Sequence, residues 1–337
     1  MLTKKVPAYF VLLGFLFSFI ICLGFKVLDK NNPKEPEVAS QIDTNSKLSC
    51  NLNIARLKGY RFIHPLLYAE PNCEAPELIN YKGQIEQIIN SNKQNGNISS
   101  ASVYIREFSQ AEWMVINEDE KYSPGSLLKV PELIAFYKME ELNPGYLDKK
   151  ITYTQKNTSD KQITFNDNHI ELGKTYTIRE LLKYMIVYSD NEATMILNKL
   201  IDGNIFKRVF SDIGLSEPDF KSPVYLMDVV DYSIFMKELY NSSYLNFKHS
   251  EQCLELMSQA KFSEGLISGL PSGCDVVHKF GESGTTDNPN FSESAIVYCG
   301  KKPYLLTVMT KGKDMKKLPK VISEISKKVY EVMSGRI

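Results

Sequence analysis

The sequence predicts an α/β fold of the α+β kind. One antiparallel sheet draws strands from both chain ends, is flanked by helices, and stands beside a helical subdomain with a cleft between the two parts. Three observations lead there. Strand-like alternation occurs at Ala101–Phe108 and Trp113–Ile116. It returns only at Val276–Phe280, Ser294–Cys299 and Tyr304–Thr310. Helical periodicity fills the interval from Ser126 to about Gln259.

Each element has a local reason. Ile85, Ile88 and Ile89 give Tyr81–Ser91 one apolar helical face. Val103 and Ile105 fall on one side of the first strand, Tyr104 and Arg106 on the other. The short connection to Trp113 allows a hairpin. Thr177-Ile178-Arg179-Glu180 is a capping box that opens a helix through Val187. A helix also fits Glu192–Leu200, and another Val224–Tyr240. Gly300-Lys301-Lys302-Pro303 turns the last strand pair, and Val321, Ile322, Ile325, Val329 and Met333 line one face of a closing helix.

The chain divides into three parts. Residues 1–28 hold Lys4 and Lys5 followed by Pro7–Phe25, 19 uncharged residues. That length spans a bilayer, and the lysines favour a cytoplasmic N-terminus with the remainder outside. A cleaved signal peptide is the competing reading, and Cys22 raises a lipoprotein as a third. Residues 29–77 are a polar tether followed by a cysteine-containing extension. Residues 78–337 form the main domain. The expected location is therefore the membrane, with the main domain extracytoplasmic.

Lysine plus arginine equals aspartate plus glutamate at 40 each, so no basic bias points to nucleic acid. Hydrophobic residues make up 43% of the chain, enough for a sizeable core and a monomer. The four histidines are scattered and no C-x-x-C or H-E-x-x-H occurs, so neither metal nor cofactor is expected. In an oxidising exterior some cysteines should pair. Cys50 with Cys73 is the first expectation and Cys253 with Cys274 the second.

Three motifs carry chemistry. Ser126-Leu127-Leu128-Lys129 is S-x-x-K, Ser189-Asp190-Asn191 follows 63 residues after Ser126, and His278-Lys279-Phe280-Gly281 places Lys279 90 residues after Ser189. Ser126 would open a helix, where free N–H groups favour developing negative charge. Lys129, one turn on, would take the serine proton. Ser189 would relay a proton to the leaving amine, Asn191 would bind substrate and help place Lys129, and Asp190 would hold the loop. On its strand, Lys279 would face the cleft. Gly281 would allow close approach of the substrate, and the N–H groups of Ser126 and Glu282 would form an oxyanion hole. Taken singly, a helix cap at Ser189-Asp190 and a solvated edge lysine at 279 are the plainer readings. Pro131 should bend the helix just after Lys129.

In that order the motifs resemble the class A β-lactamase family, within the wider group of penicillin-binding serine enzymes. Pro124-Gly125-Ser126-Leu127-Leu128-Lys129, Tyr188-Ser189-Asp190-Asn191-Glu192-Ala193-Thr194 and His278-Lys279-Phe280-Gly281-Glu282 carry the likeness. Lys221-Ser222-Pro223-Val224-Tyr225-Leu226-Met227 looks like the segment after that family's omega loop. The resemblance implies a two-subdomain fold with its site in the cleft, acylated on serine by a β-lactam or a peptidoglycan-type peptide.

Two departures qualify the function. Phe280 replaces the family's usual Thr or Ser. The deacylating Glu of the omega loop has no evident counterpart, since Gly214–Phe220 is short and offers Glu217 as a substitute, with Asp219 behind it. A β-lactamase with slow turnover, a D,D-peptidase-like cell-wall enzyme and a non-catalytic sensor on the same scaffold all remain open.

Overall fold

Both faces of the central sheet are buried, by different parts of the chain. The computed structural model describes residues 50–156, 168–219, 222, 225–300 and 302–335. The apolar run and tether expected within residues 1–49 lie outside them, as does most of the Lys221–Val224 segment. Among the described residues no helix is long and apolar enough to cross a membrane. Residues from Cys50 onward form one compact unit.

In chain order the elements are β1 (Leu52–Arg56), β2 (Leu66–Pro71), α1 (Pro76–Gln94), β3 (Ser100–Glu107) and β4 (Trp113–Ile116). A 3₁₀ turn (Gly125–Leu128) leads into α2 (Lys129–Leu142), then β5 (Lys150–Thr152), β6 (Thr175–Thr177), α3 (Ile178–Val187), α4 (Asn191–Asn198) and α5 (Gly203–Ser211). The chain continues with α6 (Val229–Asn241), α7 (Phe247–Ser258), β7 (Val276–Thr285), β8 (Asn288–Val297), β9 (Tyr304–Lys311) and α8 (Leu318–Ser334). The main sheet has the order β4-β3-β9-β8-β7, antiparallel throughout. The predicted fold class is the observed one.

Alternation along the strands sorts residues between two cores. Val103, Ile105, Phe291 and Val308 face the terminal helices, where Ile85, Ile89, Ile322 and Ile325 meet them. Tyr104, Ile296, Leu305 and Met309 face the helical subdomain, with Phe136, Leu181, Phe210 and Phe235. Register then decides where Lys279 points. Lys279 lies opposite Ser294, Ser294 opposite Thr307, and Thr307 opposite Tyr104. This row faces the subdomain, and Ser233 of α6 bonds to Thr307 at 2.7 Å. Phe280, one residue on, belongs to the other face.

Several sequence expectations were too short for a physical reason. β8 begins at Asn288 and not at Ser294, and the sequence reading starts late because Ser292 and Glu293 are polar yet fully buried. Glu293 earns its place by accepting from the Leu266 N–H at 2.7 Å and pairing with His278 Nδ1 at 2.8 Å. β7 runs on through Gly281-Glu282-Ser283-Gly284, which reads as a turn but stays paired with β8. α1 starts at Pro76, whose missing N–H costs nothing in a first turn. Thr177 and Glu180 form the predicted capping box. Pro131 is the third residue of α2, where no intrahelical donor is needed, so the expected bend is absorbed at the 3₁₀-to-α junction.

Cys50 pairs with Cys73, as expected. The second expectation is corrected: Cys274 pairs with Cys299, and Cys253 is a buried free thiol. Cys274 precedes β7 and Cys299 follows β8, so neighbouring strand ends bring them within 5.0 Å Cα to Cα. Cys253 faces the helical core on α7 instead.

The Cys50–Cys73 bridge closes the β1–β2 hairpin at its base, and charge fastens the hairpin to the sheet. Glu70 on β2 is paired with Arg106 of β3 and with Lys237 of α6, the latter at 3.1 Å. Burial pulls Lys237 below its ordinary value, against the opposing pull of Glu70. The segment after the hairpin covers the outer edge of β4, through Ala75 N–H to the Trp113 carbonyl and Val115 N–H to Glu74. Removing one member of a buried ion cluster strands the others. Glu70→Gln is therefore expected to destabilise the protein by about 3–5 kcal/mol, read as a lower midpoint of urea unfolding. An unchanged midpoint would show that the cluster does not hold the hairpin.

Candidate active site

Ser126 sits in the 3₁₀ turn Gly125–Leu128, directly ahead of α2. The turn is braced from behind and from both flanks. Tyr232 of α6 donates to the Leu127 carbonyl at 3.1 Å. Tyr122 and Met227 exchange backbone hydrogen bonds of 2.8 and 2.9 Å just before it. Ser283 of β7 donates to the Ser123 carbonyl at 2.7 Å.

Close backbone contact with β7 explains two glycines. Gly125 has φ +54, and a Cβ there would collide with the Glu282 carbonyl and come within 3.2 Å of the Glu282 nitrogen. A Cβ on Gly281 would strike the Pro124 carbonyl and lie 2.6 Å from the Leu127 nitrogen. The Ser126 turn therefore lies flat on the Gly281–Glu282 backbone.

The three motifs converge. Lys129 Nζ donates to the Ser189 carbonyl at 2.8 Å, to Ser189 Oγ at 3.2 Å and to Asn191 Oδ1 at 2.8 Å. Lys279 Nζ donates to the same Ser189 Oγ at 3.0 Å and to the Phe280 carbonyl at 2.8 Å. Both lysines are buried. Burial first, and the Lys129 charge second, hold Lys279 well below its ordinary value, with Glu293 and Glu282 opposing. Two ammonium groups sharing one hydroxyl cannot both stay charged cheaply.

Ser189 itself has φ +54, a left-handed conformation that a serine adopts only under constraint. Its neighbour supplies that constraint. Asp190 caps α4 by accepting from Glu192 N–H at 2.8 Å and Ala193 N–H at 3.3 Å, while its other oxygen accepts from Ile170 N–H at 2.9 Å. The cap reading thus applies to Asp190, and Ser189 is left to face the lysines.

The remaining sequence candidates fall in different places. Phe280 packs against Phe262 and Phe291, with ring centroids 4.3 and 5.9 Å away, in the core beneath the terminal helices. Glu282 is half-buried beside Lys279, and burial raises its carboxyl to about 7. Glu217 is exposed on the loop after α5. Asp219 lines a cavity of about 490 Å³, together with Leu128, Ile201, Phe206 and Tyr225. Leu128, two residues after Ser126, belongs to that lining, and Ser126 does not.

Sequence reasoning passed over one group in this cavity wall, Glu132. It lies one turn beyond Lys129 on α2 and is only 9% exposed. Its Oε2 has no hydrogen-bond partner among the described residues. Burial lifts its carboxyl to about 7, with Lys129 pulling the other way. The spacing S-x-x-K-x-x-E was the available signal, obscured because Glu132 follows a proline in what reads as an ordinary amphipathic helix.

The profile of the Beta-lactamase enzyme family matches residues 80–333. Among solved structures, PBP-A is 21% identical, with a TM-score of 0.64 over 78% of this chain and 98% of its own. A mutant of PBP-A, solved as an acyl-enzyme complex with penicillin G, is 22% identical with a TM-score of 0.63 over 77% and 99%. A β-lactamase from Chitinophaga pinensis is 18% identical with a TM-score of 0.65 over 75% and 99%. No curated protein matches the chain by sequence. The fold is the serine acyl-enzyme fold of class A β-lactamases and PBP-A. The chain belongs to the β-lactamase enzyme family.

Gly281 gives a direct check on this packing. Gly281→Ala must push β7 from the Ser126 turn, and overpacking of this kind costs about 1–3 kcal/mol. A lowered thermal midpoint, with displaced Pro124–Leu127 density in a crystal structure, is the expected outcome. A stable variant with an unmoved turn would contradict the contact.

Proposed function

We infer that the protein is an active-site serine enzyme, acylated on Ser126 by β-lactams or D-alanyl-peptide-like amides. The observation that carries this reading is the Ser189 hydroxyl held between Lys129 and Lys279, 3.2 and 3.0 Å away, beside the Ser126 turn. Lys129, when neutral, takes the Ser126 proton as Oγ attacks the carbonyl carbon. Ser189 passes a proton to the departing nitrogen, and Lys279 steadies that relay by its field. Asn191 holds Lys129 and offers its amide to substrate. The N–H groups of Ser126 and Glu282 receive the developing oxyanion, and Gly281 lets the substrate lie close along β7.

Turnover is the weaker half of the cycle. A positioned general base typically contributes about 10²–10⁴-fold. The stretch after α5 carries Glu217 and Asp219, both exposed, the latter lining the cavity beside Leu128. Hydrolysis of the acyl-enzyme is therefore slow, which favours a penicillin-binding or poorly turning-over β-lactamase role over an efficient β-lactamase. Cys50–Cys73 and Cys274–Cys299 fit an oxidising, extracytoplasmic compartment. Lys4, Lys5 and Pro7–Phe25 would hold the domain there as a membrane anchor.

Incubation with penicillin G should give a covalent adduct by intact mass that persists for many minutes. Ser126→Ala should take no label, and Lys129→Ala should label at least 10²-fold more slowly. Undiminished labelling of Ser126→Ala would reject the nucleophile. Rapid loss of the adduct, abolished in Glu217→Gln with acylation retained, would instead establish an efficient β-lactamase with a rebuilt loop.

A further inference from the structure

Glu132 is a buried acid beside the Ser126 site to which the reaction above gives no task. We propose that its carboxylate is the proton acceptor for Lys129, taking the ammonium proton and leaving a neutral amine to activate Ser126. This rests on the reading of Ser126 as the acylated nucleophile.

Geometry comes first. Glu132 and Lys129 are three residues apart on α2, so their side chains leave one face with Cβ atoms about 5–6 Å apart. Glu132 is buried, and its Oε2 has no hydrogen-bond partner among the described residues. An ionisable group stranded in this way destabilises a fold, and such groups cluster where chemistry needs them. Glu132 also lines the cavity of about 490 Å³, which is large enough to admit water to its unpartnered oxygen.

Electrostatics agree. With burial raising the carboxyl to about 7 and Lys129 opposing, acid and carboxylate forms coexist near neutrality. The other titratable groups facing this cavity are Asp219 and Tyr225, both from the loop before α6. The lining from α4 and α5, including Asn198 and Phe206, does not titrate.

The step balances internally. The Lys129 ammonium gives its proton to Glu132, producing amine and carboxylic acid with no change in net charge. The amine takes the Ser126 hydroxyl proton as the Oγ–C bond forms. The C–N bond then breaks, its electron pair leaves with nitrogen, and nitrogen takes the Ser189 proton. Lys129 returns a proton to Ser189 and recovers its own from Glu132.

Two measurements on the full-length protein test this. The first is the rate of acylation by penicillin G against pH. In the wild type the rate should fall as pH drops through about 7 and Glu132 becomes protonated. Glu132→Gln should acylate about 10²-fold more slowly at pH 7.5 and lack that acid limb. Glu132→Asp should recover part of the rate and keep the limb. Thermal midpoints at or above wild type for Glu132→Gln would separate this loss from misfolding, and Glu132→Asp carries the test if the Gln variant does not fold.

The second measurement needs no acylation. The Glu132 carboxyl, followed by ¹³C NMR and assigned by its absence in Glu132→Gln, should titrate near neutrality and move upward in Lys129→Ala. Wild-type rate and pH profile in Glu132→Gln would overturn the proposal, as would a Glu132 midpoint indifferent to Lys129→Ala. A wild type that takes no label, yet shows the coupled titration, would reject the acylation reading and keep the proton exchange.

Discussion

The Ser189 hydroxyl is held by two lysines that reach it from different layers of the molecule. Lys129 comes from the helical subdomain and Lys279 from β7, the edge strand of the sheet, so one oxygen joins the two layers at the site. Everything around it serves this meeting. The register of β7 against β8 and β9 aims Lys279 at the subdomain. The cap at Asp190 holds Ser189 in a left-handed conformation that turns its side chain toward the amines. The bare backbone at Gly125 and Gly281 lets the Ser126 turn lie against the same strand. Charge is the cost of the arrangement, because burial and the neighbouring Lys129 charge hold Lys279 below its ordinary value.

Much of this was legible in the chain, and the parts that were not share a cause. Ser126, Lys129, Ser189 and Lys279 could be found because their chemistry demands particular residues at short local spacings. The helices from Thr177 and Leu318 could be found because their caps and faces are local too. Long-range partners were invisible. Glu293 is buried by distant partners, His278 and the Leu266 N–H, so the first half of β8 carries no local apolar alternation from which a strand can be read. The Cys274–Cys299 bridge depends on two strand ends being neighbours, which no spacing rule conveys. Glu132 was overlooked because its burial comes from α5 and from the loop ahead of α6, not from its own helix.

Phe280 shows how a departure from a family pattern can be absorbed. At this position a ring packs with Phe262 and Phe291, and its centroid lies 4.1 Å from Lys279 Nζ. The ring adds apolar packing beneath the terminal helices.

The Cys50–Cys73 bridge has a mechanical meaning. Any pull on the chain upstream of residue 50 passes straight through the sulfurs to Cys73, so the 23-residue span that it closes carries no tension. The hairpin that seats Glu70 under Arg106 and Lys237 is thus kept out of the path of force. Reduction of this one bond would place that span in series with the load. Once Glu70 gave way, that span could extend by on the order of 70 Å, a change that leaves the five-stranded sheet untouched.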